Sequence, residues 1–115
     1  MRIRTLATVS AISAVALAGA ASPALAQKTI NVTTDKKDML KYKGVPKTLK
    51  AGTYTFRYTN TSGMDHNLKI GKVSTPVFKT GTKTIKVTLK KGTTAFICTV
   101  PGHAAGGMKG AIKVT

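Results

Sequence analysis

The stretch Phe96-Ile97-Cys98-Thr99-Val100-Pro101-Gly102-His103-Ala104-Ala105-Gly106-Gly107-Met108 contains the chain's one cysteine and one of its two histidines. The spacing is C-x4-H-x4-M. Phe96 and Cys98 alternate with other residues at a period of two, so the stretch begins as a strand end. Val100-Pro101-Gly102 then turns the chain back, and Gly106-Gly107 permits a second tight bend. From Lys109 to Thr115 the chain resumes as a last strand, with Ile112 and Val114 on one face. One loop thereby brings a thiol, an imidazole and a thioether toward a single point. The other histidine lies upstream, in Gly63-Met64-Asp65-His66-Asn67.

Each of these residues alone has a bland reading. A single Cys on a strand is usually a small buried hydrophobe, a single His a surface residue, and a single Met core filler. Together they form a donor set. Two imidazoles and one thiolate make a trigonal plane for copper, and a thioether supplies a weak axial contact. Soft sulfur stabilises Cu(I), while imidazole keeps Cu(II) accessible. The candidate ligands are therefore His66, Cys98, His103 and Met108, holding one copper ion that cycles between Cu(II) and Cu(I). Met39 and Met64 read as core or rim packing, with Met64 near enough in sequence to border the site.

Outward from the motif the same period of two recurs. Ile30 and Val32 alternate with polar neighbours, as do Tyr54, Phe56 and Tyr58, and Ile85, Val87 and Leu89. Leu68 and Ile70 give a shorter version. Turn signals separate these runs at Lys43-Gly44-Val45-Pro46, Ala51-Gly52, Ser62-Gly63, Thr80-Gly81 and Lys91-Gly92. Many short strands at regular spacing predict an all-β sandwich or barrel. No helical period is present beyond the start of the chain, and residues 35–40 could hold a single turn at most.

Composition narrows the function. The length of 115 residues allows one domain. There is no Glu and only three Asp, which leaves little for paired-carboxylate hydrolysis. A single Cys excludes an intramolecular disulfide. Residues 1–26 read as a secretory leader: Arg2 and Arg4, an apolar run from Leu6 to Ala18, and a small-x-small site at Ala24-Leu25-Ala26. The run is too short and too Ala-rich for a membrane anchor. The expected domain is then residues 27–115, exported to a periplasmic or extracellular destination. A lone thiol there needs burial, a partner chain or a metal. Removing Arg2 and Arg4 takes the net charge from +16 to +14. The aromatics alternate inward, unlike a stacking platform for nucleic acid.

At Asp65-His66-Asn67 and over residues 96–110 the sequence resembles the cupredoxins, the plastocyanin/azurin family of small blue copper proteins. The resemblance implies a Greek-key β-sandwich with copper near one end, ligated by His66, Cys98, His103 and Met108. It implies that Asn67 ties the two ligand-bearing loops together, with Thr99 as its partner. It also implies an electron port at His103, ringed by Pro101, Ala104 and Ala105. Asp65 could bring its carbonyl toward copper, and its carboxylate would favour Cu(II). The separation of 32 positions between His66 and Cys98 is short for the family and suggests a trimmed sandwich.

Three functions compete. The first is a one-electron carrier, not an enzyme, because an axial Met108 leaves no open coordination position. It would act as a monomer on acidic redox partner proteins, with Lys69, Lys72 and Lys109 as rim charges and with no nucleic acid involved. The second is copper handling through the same ligands. The third is a metal-free module that binds anionic polymers or membranes through its basic surface.

Overall fold

The computed structural model describes residues 28–115; the leader expected over residues 1–26 lies outside the described residues. Nine strands follow one another, with no helix among the described residues. They are β1 (Lys28–Thr34), β2 (Tyr42–Lys43), β3 (Thr48–Leu49), β4 (Gly52–Asn60), β5 (Lys69–Ile70), β6 (Val73–Ser74), β7 (Gly81–Leu89), β8 (Gly92–Ile97) and β9 (Lys109–Val114). One sheet has the order β2-β1-β4-β7 and the other β3-β9-β8-β5-β6. The chain changes sheet repeatedly, and β1 pairs with β4, and β3 with β9, in parallel. The other pairings are antiparallel. This is the all-β sandwich that the alternating runs predict.

The period of two explains the core. In β4, Tyr54, Phe56 and Tyr58 are buried, while Arg57 is exposed. Across β1, Phe56 and Tyr58 lie opposite Ile30 and Val32, and across β7, Tyr54 and Phe56 lie opposite Val87 and Ile85. Ile70, Ile112 and Val114 come from the other sheet and Leu68 from the residue just before β5, so the core fills the space between the two layers. Burying a large apolar side chain is worth about 1.5–3 kcal/mol relative to leaving it exposed, and Phe56 and Tyr58 are fully covered. Tyr42 stacks edge-on against both Tyr58 and Phe96, with centroids 5.5 and 5.7 Å away.

Two glycines are fixed by close approach. The ring of Phe96 lies over Gly110, its register partner, and a Cβ there would come within 2.4 Å of the ring. At Gly44, φ is 101° and a Cβ would meet the Asn31 carbonyl at 2.5 Å. The turn read over residues 43–46 therefore begins one residue later, because Tyr42 and Lys43 pair with Thr34 and Thr33 as a short strand. The segment 35–41 closes on itself through Asp35 N–H to the Lys41 carbonyl and Lys41 N–H to the Asp38 carbonyl.

Candidate metal centre

The loop after β8 is wound by local hydrogen bonds. His103 N–H donates to the Val100 carbonyl at 3.1 Å, closing a turn with Pro101 second and Gly102 third. Gly102 has φ 85°, the conformation a type II turn demands at that place. Met108 N–H then donates to the His103 carbonyl, and Cys98 N–H to the Met108 carbonyl, both at 3.0 Å. Cys98, His103 and Met108 are thus tied backbone to backbone. Gly106 faces Leu40, whose Cδ1 would sit 2.6 Å from an added Cβ, so segment 35–41 packs down on this loop.

His66 arrives from the other side. Its N–H and carbonyl exchange hydrogen bonds with Phe78 at 3.1 and 3.0 Å. Asn60, fully buried at the end of β4, organises the approach. Its amide NH2 donates to the carbonyls of Met64 and Phe78 at 2.8 and 2.7 Å. Its Oδ1 accepts from the Ser62 N–H and hydroxyl at 3.0 and 2.7 Å, and from Thr34 at 3.3 Å.

Asn67 joins the two halves. Its Nδ2 donates to Thr99 Oγ1 at 2.9 Å, and Thr99 N–H donates to its Oδ1 at 2.8 Å. The Tyr42 hydroxyl donates to the Asn67 carbonyl. Burial first, and then the nearby Cys98 charge, raises the Tyr42 pKa, so the phenol stays a donor. Tyr58, bonded to Thr34 at 2.7 Å, is pushed up to about 12, chiefly by burial.

The result is a close cluster of donors. His66 Nδ1 lies 3.1 Å from His103 Nδ1, and Cys98 Sγ lies 3.6 Å from the same His103 nitrogen. All three donor atoms lie within 4.8 Å of one another, the one such group among the described residues. Metal bonds of about 2.0–2.1 Å to nitrogen and about 2.3 Å to sulfur separate donors on one ion by about 3–4 Å. The 3.1 and 3.6 Å spacings about His103 therefore fit a shared ion. His66 is inaccessible to solvent and Cys98 nearly so, while His103 keeps a partly exposed edge. Burial, and then the adjacent His103, hold the His66 imidazole below its ordinary pKa, with Asp65 opposing. Both effects favour the neutral, ligating form. The Nε2 of His66 is buried without a hydrogen-bond partner.

Residues 28–115 match the family of copper binding proteins of the plastocyanin/azurin type. The chain belongs to this family. It carries the family's single copper ion at the His66, Cys98 and His103 site. Solved structures similar to it include a dithionite-reduced auracyanin from Roseiflexus castenholzii, at 26% identity and a TM-score of 0.67, covering 78% of this chain and 98% of that one. Auracyanin A of Chloroflexus aurantiacus shares 24% identity over 76% of this chain and 98% of its own, with a TM-score of 0.65. Rusticyanin from Thiobacillus ferrooxidans shares 22% over 78% and 79%, with a TM-score of 0.60. Among curated protein sequences none matches.

The other residues singled out from the sequence fall as follows. Met108 is fully buried, with its backbone bridging Cys98 and His103. The Asp65 carboxylate, whose direction the sequence left open, pairs with Lys79 at 3.2 Å on the exposed side. Pro101 and Ala105 are exposed, and Ala104 is partly covered. Asn60 and Tyr42 were missed. The signal for Asn60 was present: it shares the inward parity of Tyr54, Phe56 and Tyr58, and a buried amide must be bonded.

Proposed function

We propose that the chain is an exported one-electron carrier rather than an enzyme. His66, Cys98 and His103 serve as equatorial ligands and Met108 as the axial one. The observation that carries this reading is the contrast in exposure within a preassembled site. His66, Cys98 and Met108 are buried, and His103 alone reaches toward solvent. Bound copper supplies the Cu(II)/Cu(I) couple. The chain's own residues hold the donors close together, and the Asn67–Thr99 pair limits how far they can move when the charge changes. Four donors leave no open position for a substrate. The auracyanin at 26% identity exists in a dithionite-reduced form, which supports a redox role for a chain this similar.

The mature domain is taken as residues 27–115, monomeric and periplasmic or extracellular, after removal of the leader over 1–26. Among the described residues no helix is long and apolar enough to cross a membrane. Acidic redox partners suit its surface. Lys109 and Lys69 both flank Ile97 by cross-strand register, one residue from Cys98, and neither has an ion pair among the described residues. Charge at such a rim speeds encounters more than it tightens complexes, so partner reduction should slow with salt.

Copper handling is the alternative use of the same donors. Cyclic voltammetry of the copper-loaded protein separates the two. A carrier gives a reversible one-electron wave and keeps Cu(I) in the presence of a Cu(I) chelator over many turnovers. Rapid loss of Cu(I) to the chelator, without a stable reversible couple, would favour handling and overturn the carrier reading.

A further inference from the structure

The acidic side chains of this molecule are gathered at one end, while lysines occur at both. Strand register fixes two ends. Asn60, Gly81, Ile97 and Lys109 lie at the copper end, and Gly52, Leu89, Gly92 and Val114 at the other. All three carboxylate side chains of the sequence sit at the copper end. Asp65 precedes His66. Asp35 follows Thr34, which bonds to Asn60, and Asp38 lies in the segment whose Leu40 packs on Gly106.

The remote end holds lysines with no acidic side chain among them, whereas at the copper end Lys36, Lys37, Lys41, Lys69, Lys79 and Lys109 accompany the three Asp. Lys28 pairs in register with Tyr54 at the start of β1. Lys47 and Lys50 flank β3, their carbonyls accepting from Lys113 N–H and the Tyr54 hydroxyl. Lys90 and Lys91 form the turn between β7 and β8, and Lys113 lies beside Thr48. All six are exposed, and no acidic side chain lies among them. Thr115 adds at most its terminal carboxylate. Lysines kept only for solubility need no such separation from every Asp in the chain.

We propose that this end docks on an anionic lipid bilayer, leaving the copper end directed away from the membrane. The six lysines come from both sheets and from separate connections. They therefore cover a blunt end rather than line a groove, and a planar anionic surface can meet them together. A linear polyanion would follow only some of them. Among the described residues the end has no apolar anchor, because the exposed large hydrophobic residues are Met39, Met64, Val73 and Val77. Attachment is thus electrostatic and reversible, and it weakens as salt screens it.

The test is co-sedimentation of the copper-loaded protein, expressed from the full sequence, with vesicles of phosphatidylglycerol mixed into phosphatidylcholine. Vesicles of phosphatidylcholine alone serve as the neutral surface. Two double variants remove the same charge: Lys90→Gln with Lys91→Gln at the remote end, and Lys36→Gln with Lys37→Gln at the copper end. Each lysine near an anionic surface contributes about fivefold in affinity. The remote pair should therefore weaken binding about 30-fold, and the copper-end pair by far less. Binding should be absent on neutral vesicles and lost at high salt, with copper content unchanged in both variants. Equal weakening by the two pairs, or equal binding to neutral vesicles, would overturn the proposal. So would binding to soluble heparin without binding to anionic vesicles, which would assign the end to a polymer.

Discussion

The loop from Cys98 to Met108 and the segment from Asn60 to Asn67 bring donors to the same point by different means. The first is self-contained. Its bonds stay within the loop, and a Pro-Gly turn sets its path. The second relies on side-chain bonds and on other parts of the chain. It is held by Asn60 from the end of β4, by Phe78 across a bridge, by Thr34 from β1 and by the Tyr42 hydroxyl. The pair Asn67–Thr99 then registers one against the other. The geometry of the site therefore depends on two kinds of support. Damage to the first should change the metal's electronic properties, and damage to the second should cost stability.

The largest effect is expected at Asn60. Replacing it with alanine removes one donor from the Phe78 and Met64 carbonyls and the acceptor from Ser62 and Thr34. Each hydrogen bond lost costs about 0.5–1.5 kcal/mol. Asn60→Ala should destabilise the metal-free protein by about 3 kcal/mol, read from urea midpoints. A loss below about 1 kcal/mol would show that the His66 segment holds itself. On the loop side the expected effect is electronic. Met108→Leu conserves volume and should cost little stability. It should keep copper and raise the reduction potential by about 59 mV, a tenfold shift in the couple, because a weak donor that favours Cu(II) is removed. Copper loss or a lowered potential would contradict the axial role.

The smallest effect is a pH dependence of the metal-free protein. Burial and His103 depress the His66 pKa in the fold relative to its ordinary 6.5. Below that value the unfolded chain binds more protons than the native one, so stability rises with pH across this window. The contribution is complete above about pH 6.5 and is lost as pH falls toward the depressed value. Thermal melting at about pH 7.5 and about pH 5 should show the metal-free protein less stable at the lower pH. Equal melting temperatures would remove His66 as a buried neutral base.

The contrast also explains what could be read from the sequence. The loop was legible because its chemistry is local: three donor residues, a Pro-Gly turn and a glycine pair lie within eleven positions. The long strands were legible from alternation at Tyr54, Phe56 and Tyr58 and at Ile85, Val87 and Leu89. The two-residue strands at Tyr42, Thr48 and Val73 were not, since two residues carry no period. Parallel pairing of β1 with β4 escaped for a related reason: periodicity marks faces and says nothing of direction. Tyr42 escaped because its hydroxyl reaches a backbone carbonyl 25 positions away, a contact that sidechain patterning does not encode.

Cys98 is the one thiolate the chain can offer copper, and the visible spectrum reads that bond directly. The protein should be titrated with Cu(II) after zinc is excluded, since a site of two nitrogens and one thiolate also accepts zinc. The wild type should take up one copper per chain and turn an intense blue. Cys98→Ser should melt as a folded protein and lose the colour. A wild type that stays colourless at one bound copper, or a Cys98→Ser variant with an unchanged visible spectrum, would contradict the assignment of this loop as the copper site.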